Sequence, residues 1–276
     1  MSDWLTYSNY IVMVMQVIVT LVIVPLLSIK KLNDITNQYG LVRYPNAKPD
    51  VEVFFISSKK WYWITVGTAF LIAAAMVLHA FTNNTELLAW DDQSGLMLIY
   101  LLSMVPVLKM VLMHRNLFGI FKKHTGSVRS ASLKVRKWQD YISIPLLITI
   151  IIANIFYIAT VIYFSKHPFV GFAGYFNLLG LFVLDFIFLF IIVIVYKDNK
   201  TNGFHHPQHR DALKKRAIHI NMLILAIAAF HVSFSMWIQG TDLSIYKIIF
   251  QSLYFQVILI LTSVSLTLPK SVFDKQ

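Results

Sequence analysis

Between Phe169 and Tyr196 the chain reads FVGFAGYFNLLGLFVLDFIFLFIIVIVY, an apolar run broken by one charged side chain, Asp185. A run that long and that apolar needs either the centre of a large soluble protein or a lipid bilayer around it. The chain has 276 residues, 57% of them hydrophobic and only 13% charged, which leaves no polar shell to cover such a segment. The chain is therefore expected to lie in a membrane.

Mostly apolar runs of about twenty residues recur at 9–28, 61–82, 95–113, 142–164, 169–196, 218–238 and 245–268. They predict an all-α polytopic membrane protein with seven transmembrane helices, in a single transmembrane domain over 1–276. The runs are continuous and do not alternate in polarity, which argues against barrel strands. The N-terminal MSDWLTYSN lacks the basic region of a signal peptide, so the first run is expected to remain as a helix.

Charge sets the expected orientation. Of the 24 lysines and arginines, all but Lys109, Lys166 and Lys247 fall after the first, third, fifth or seventh run. Asp3, Glu86, Asp91, Asp92 and Asp242 lie on the opposite side. By the positive-inside rule the N-terminus is outside and the C-terminus cytoplasmic. Three hairpins with long basic cytoplasmic loops, plus a seventh helix, follow from that arrangement. The loops share a glycine near basic or aromatic residues (Gly40, Gly126, Gly203), a weak sign of a triplicated hairpin. In a soluble chain the net charge of +11 would suggest nucleic acid, but loop topology accounts for it here, and no nucleic-acid partner is expected. The expected partners are the bilayer itself, anionic lipid at the basic loops, and other membrane proteins or further copies of this chain.

Two loop segments have a possible structure of their own. Residues 116–138 mix Leu117, Phe118, Ile120 and Phe121 with basic residues, as an interfacial helix or a solvated basic loop would. Residues 51–56, VEVFFI, read as a short strand or as the lead into the second helix, ahead of the interfacial aromatics Trp61, Tyr62 and Trp63.

A carboxylate at bilayer depth is costly, so Asp185 needs protein, water or a partner beside it. Counting about 1.5 Å per residue from the cytoplasmic ends places Asp185 and His231 near the midplane. The same count brings Gln16, Asn154 and Gln256 to that level, with Ser103 close by. Gly171, Gly174, Asn177 and Asp185 share one sector of a helix begun at Phe169. Such a layer suits an ion or substrate site, with Asp185 as proton acceptor or cation ligand, His231 as its partner, and the amides completing the shell. Taken singly, Gln16, Ser103, Asn154 and Gln256 read first as interhelical hydrogen bonds. Lys109 reads as snorkelling, His79 as interfacial, and Pro25 and Pro106 as local kinks.

A histidine-rich stretch, His205, His206 and His209 with His219 beyond, offers the donors of a metal site, and a metal ion is the one cofactor the sequence suggests. The spacing does not match the histidine boxes of membrane di-iron desaturases, and a solvated turn explains it as well. A retinal protein would need a lysine in mid-helix 7, where there is none. The chain has no cysteine, which excludes disulfides, thiolate metal sites and a cysteine nucleophile. No catalytic constellation is present. The leading expectation is an integral membrane transporter or channel-like protein, of a bacterial inner membrane, with a proton- or cation-responsive site around Asp185 and His231. The alternatives are a non-catalytic subunit of a larger membrane complex and a membrane-embedded histidine-metal enzyme.

Overall fold

The computed structural model describes residues 2–83, 92–124, 137–197, 207–241, 243 and 246–265, and among them the fold is all-helical, with no strand. Helix α1 (Ser2–Ile18) passes through a π-helical turn, Val19–Ile23, into α2 (Val24–Ile35), and then through a second π turn, Thr36–Gly40, into the short α3 (Leu41–Arg43). Helices α4 (Lys48–Asn83), α5 (Asp92–Lys123), α6 (Ile144–Lys166), α7 (Asn177–Lys197), α8 (Pro207–Gly240) and α9 (Lys247–Ser265) follow. Among the described residues six helical segments are long and apolar enough to cross a membrane, and α9 supplies a shorter apolar one. These six helices suggest an integral membrane protein.

Helix ends depart from the apolar runs where lipid length does not govern them. Helix α4 begins at Lys48 and takes in 51–56, and α5 continues to Lys123, well past the end of its apolar run. Helix α8 likewise starts at Pro207, ahead of its own run. Lysine, arginine and glutamate propagate a helix well, so nothing in these segments stops it at the last apolar residue. The run at 169–196 is shortened instead. Residues 169–173 are not helical, Gly174–Phe176 is a 3-10 turn, and α7 proper begins at Asn177. Gly171 and Gly174 have φ of 88° and 60°, a left-handed conformation that glycine adopts without a Cβ penalty, and they turn the chain from α6 into α7.

The chain divides into two compact units. The first comprises Met1–Ser132, Lys200–Arg210 and Phe255–Gln276. Its main core is built by Ile29 and Leu32 of α2, Val51, Tyr62 and Val66 of α4, and Met110, Met113, Leu117 and Phe121 of α5. A smaller cluster joins Val24, Val107 and Leu259. Pro25 has no N–H to give to the carbonyl four residues back, and the chain absorbs this by widening just before it, where Val24 N–H bonds to Val19 O in the π turn. Gly40 lies under the ring of Phe121, where any side chain would meet that ring.

The second unit comprises Leu133–Asn199 and Asp211–Tyr254. Ala153, Tyr157, Val161 and Phe164 of α6 pack against Leu181 of α7 and Ala229 and Met236 of α8. A second cluster joins Tyr141, Ile218 and Met222 with Ile192, Val195 and Tyr196. Leu181 is the one buried residue of helix α7, whose Phe182, Phe186, Leu189 and Phe190 are exposed large apolar side chains.

Candidate functional site

The sequence places Asn154 and Asp185 at matching heights, and the structure joins them. Asn154 lies about ten residues into α6 and Asp185 about twelve from the end of α7, or roughly 15 and 18 Å along antiparallel axes. The Asn154 side-chain amide donates to Asp185 Oδ2 at 2.9 Å. The other carboxylate oxygen, Oδ1, is buried without a hydrogen-bond partner, as is Asn154 Oδ1. Both residues are half-buried. The pair therefore offers two unpartnered oxygen acceptors, one from the carboxylate and one from the amide, a ligand set that suits a proton or a hard cation.

His231 is not the partner of Asp185. Its ring lies flat on Tyr254, with centroids 3.8 Å apart and planes 8° off parallel, and faces Phe250 at 5.1 Å. Its Nδ1 is buried and makes no hydrogen bond. Among the described residues the ion pairs within 4.0 Å are Lys48–Glu52 and His124–Asp50, and neither involves Asp185 or His231. The reason is angular. On α8 the face toward α6 carries Ala229, Ser233, Met236 and Trp237, at helical spacing, with Ala229 and Met236 in the α6 core and Trp237 Nε1 donating to Thr160 Oγ1 at 3.1 Å. His231 stands about 200° round from Ala229, on the opposite face. Depth counting fixes height along a helix and says nothing about direction around it.

The other expected site residues fall into separate groups. Asn177 is a turn residue, its Nδ2 donating to Gly174 O at 2.9 Å and its carbonyl accepting from Tyr157 OH at 3.0 Å. Gly171 is not on α7, so the shared face expected for it does not form. Gln16 and Ser103 belong to the first unit and meet there through Thr20, which the sequence reading passed over. Gln16 Nε2 donates to Leu96 O at 3.1 Å, Thr20 Oγ1 donates to Gln16 O at 2.7 Å, and Ser103 Oγ lies 2.8 Å from both Thr20 Oγ1 and Ile99 O. All three side chains are fully or almost fully buried. Gln256 is half-buried in the first unit.

Of the candidate metal ligands, His205 and His206 lie outside the described residues, and so does the side chain of His209. His219 is half-buried and hydrogen-bonds to the backbone of Tyr141. Among the described residues no three His, Asp or Glu side chains gather as a metal would need. Sequence counting also missed Lys214. It reads as one more loop cation, yet its side chain is buried and donates to Tyr196 O at 2.9 Å, closing the last turn of α7. Its place on the first turns of α8, ahead of an apolar run, is the only sequence signal that could have marked it.

No protein-family model, curated protein or solved structure matches this chain.

Proposed function

We propose that this chain is a membrane transporter or channel-like protein in which Asp185 takes up a proton or cation within the bilayer. The observation that carries the reading is the half-satisfied carboxylate, with Oδ2 held by Asn154 and Oδ1 buried without a partner among the described residues, midway along the apolar helix α7. A carboxylate at that depth with an oxygen to spare is costly, and intramembrane acids of this kind mark ion pathways and proton relays. The basic loops orient the chain with its N-terminus outside and its C-terminus in the cytoplasm, and a bacterial inner membrane is the proposed setting. His231 enters this reading only as an aromatic-stacked neighbour in the same unit.

The test is flux in proteoliposomes. Asp185→Asn is expected to lower proton or monovalent-cation flux by at least about tenfold, a change of roughly 1.4 kcal/mol, while the variant remains folded by circular dichroism and gel filtration. Equal flux from parent and variant would remove Asp185 from the function. One feature favours the alternative of a non-catalytic subunit, namely that α7 buries only Leu181 within its own chain. A partner chain that co-purifies in mild detergent and cross-links through Phe186 or Phe190 would support that alternative over transport.

A further inference from the structure

The first unit holds a small, almost wholly apolar pocket with two serines and a lysine among its lining residues. Where α1 passes into α2, Val19, Ile23, Val24 and Leu27 line its apolar part, and Ser28 and Lys31 continue the same face at helical spacing. Ile260 and Ser263 of α9 form the facing wall, and the cavity measures about 130 Å³. From Val19 to Lys31 the axis rises about 18 Å, which runs from deep in an apolar span to its basic end.

The serines in this pocket behave differently from their neighbours. Thr20, Thr36 and Ser103 each bond to the carbonyl four residues back, the usual way for a helical hydroxyl to satisfy itself. Ser263 Oγ is buried and makes no hydrogen bond. Ser28 is 9% exposed, and its hydroxyl has no hydrogen bond among the described residues. Two unsatisfied hydroxyls therefore flank one cavity, with an ammonium group one turn beyond. Lys31 also lies within electrostatic reach of His114 on α5, and Lys31 itself supplies the positive charge in the pocket's lining.

We infer that this pocket seats one anionic phospholipid, with its phosphate on Lys31, its glycerol and ester oxygens against Ser28 and Ser263, and the start of an acyl chain along Val24, Leu27 and Ile260. The order of chemistry along the groove is the order along such a lipid. A free phosphate would use Lys31 and the hydroxyls but leave the apolar part of the cavity uncovered. The inference is independent of Asp185, which belongs to the other unit.

Native mass spectrometry of the full-length chain tests it, using micelles that contain equal amounts of a phosphatidylglycerol and a phosphatidylcholine with the same acyl chains. The parent protein is expected to retain one phosphatidylglycerol at least about fivefold more often than phosphatidylcholine, the scale of one lysine at an anionic headgroup. Lys31→Gln abolishes that preference, Lys31→Arg keeps it, and Lys30→Gln, which alters an exposed neighbour, also keeps it. Leu27→Trp, which fills the apolar end without changing charge, lowers retention as well. Inorganic phosphate in large excess leaves the lipid bound. Equal retention of the two lipids, an equal loss in Lys30→Gln, or displacement by phosphate would each overturn the proposal. Circular dichroism and gel filtration of every variant separate loss of lipid from loss of fold.

Discussion

The side chain of Asn154 on α6 donates to Oδ2 of Asp185 on α7 at 2.9 Å, and this bond is the one hydrogen bond the carboxylate makes among the described residues. Replacing Asn154 by leucine keeps the bulk, removes the donor and leaves the carboxyl group half-buried without a partner. Interhelical hydrogen bonds in membranes are worth about 0.6 kcal/mol on average and up to about 1.7. A partly buried carboxylate belongs near the upper value, because the alternative for it is hydrocarbon. Asn154→Leu is therefore expected to lower unfolding stability in mixed micelles by about 1 to 2 kcal/mol. Asn154→Asp, which sets a second acid against the first, is expected to cost more. A titration of helicity against denaturing detergent measures both, and a silent Asn154→Leu would show that the bond carries no net energy.

A double-mutant cycle separates Asp185 from His231. The two residues share no hydrogen bond or ion pair, and His231 packs on Tyr254 and Phe250. Stability changes in Asp185→Asn and His231→Phe should then add to within about 0.5 kcal/mol. His231→Phe preserves the stack and should be close to neutral. His231→Ala should lose about 1 kcal/mol for the aromatic contact. A coupling above about 1 kcal/mol between Asp185 and His231 would restore the pairing that equal depth suggested.

The opposite result is expected within the first unit. Thr20 donates to Gln16 O and lies within hydrogen-bond distance of Ser103 Oγ, so Thr20 and Ser103 act on one network. Ser103→Ala and Thr20→Val should each cost about 1 kcal/mol, and the double variant less than the sum, since the second change removes a group already left without its partner. Thermal unfolding of the four proteins completes the cycle. Strict additivity would show that Ser103 relies on Ile99 O alone, which also lies 2.8 Å away.

What the sequence made legible follows from which physical quantities are one-dimensional. Membrane residence and approximate helix positions come from run length and polarity, and six helices of spanning length are present. The height of Asp185 relative to Asn154 is also one-dimensional in antiparallel helices, and these two residues meet. Direction around a helix is not, which is why His231 faces Tyr254 and why Gln16 and Ser103 reach each other through Thr20. The run at 169–196 misled for a different reason. Hydropathy sees Phe169 to Phe176 as apolar, whereas the left-handed φ of Gly171 and Gly174 makes it a turn. Lys214 was hidden by the rule that loop lysines are solvated, and its burial comes from the carbonyl of Tyr196, a contact no pattern along the chain encodes.

Three glycines differ enough in their surroundings to order their alanine variants. At Gly240 a Cβ would meet Phe164, and Phe169 Cδ1 at 2.8 Å, and Phe164 is itself held by Trp237, Phe169, Phe172 and Tyr163, so the ring has little room to yield. At Gly40 a Cβ would meet Phe121, with Cε2 at 2.7 Å, a ring near the end of α5 that has Tyr44 beside it and, at 8% exposure, is less enclosed than Phe164 at 2%. At Gly67 nothing lies within 4 Å. Overpacking of this kind costs about 1 to 3 kcal/mol, and removing a glycine from a helix interior gains up to about 1. Gly240→Ala should therefore be the most destabilised, Gly40→Ala intermediate, and Gly67→Ala neutral or slightly more stable, as read by melting temperature in detergent. Adding Phe164→Leu to Gly240→Ala should recover part of the loss, because it shortens the side chain that the new methyl strikes. If Phe164→Leu instead deepens the loss by its full single-variant cost, the two residues do not press on each other and the close packing at the end of α8 is not what holds this unit together.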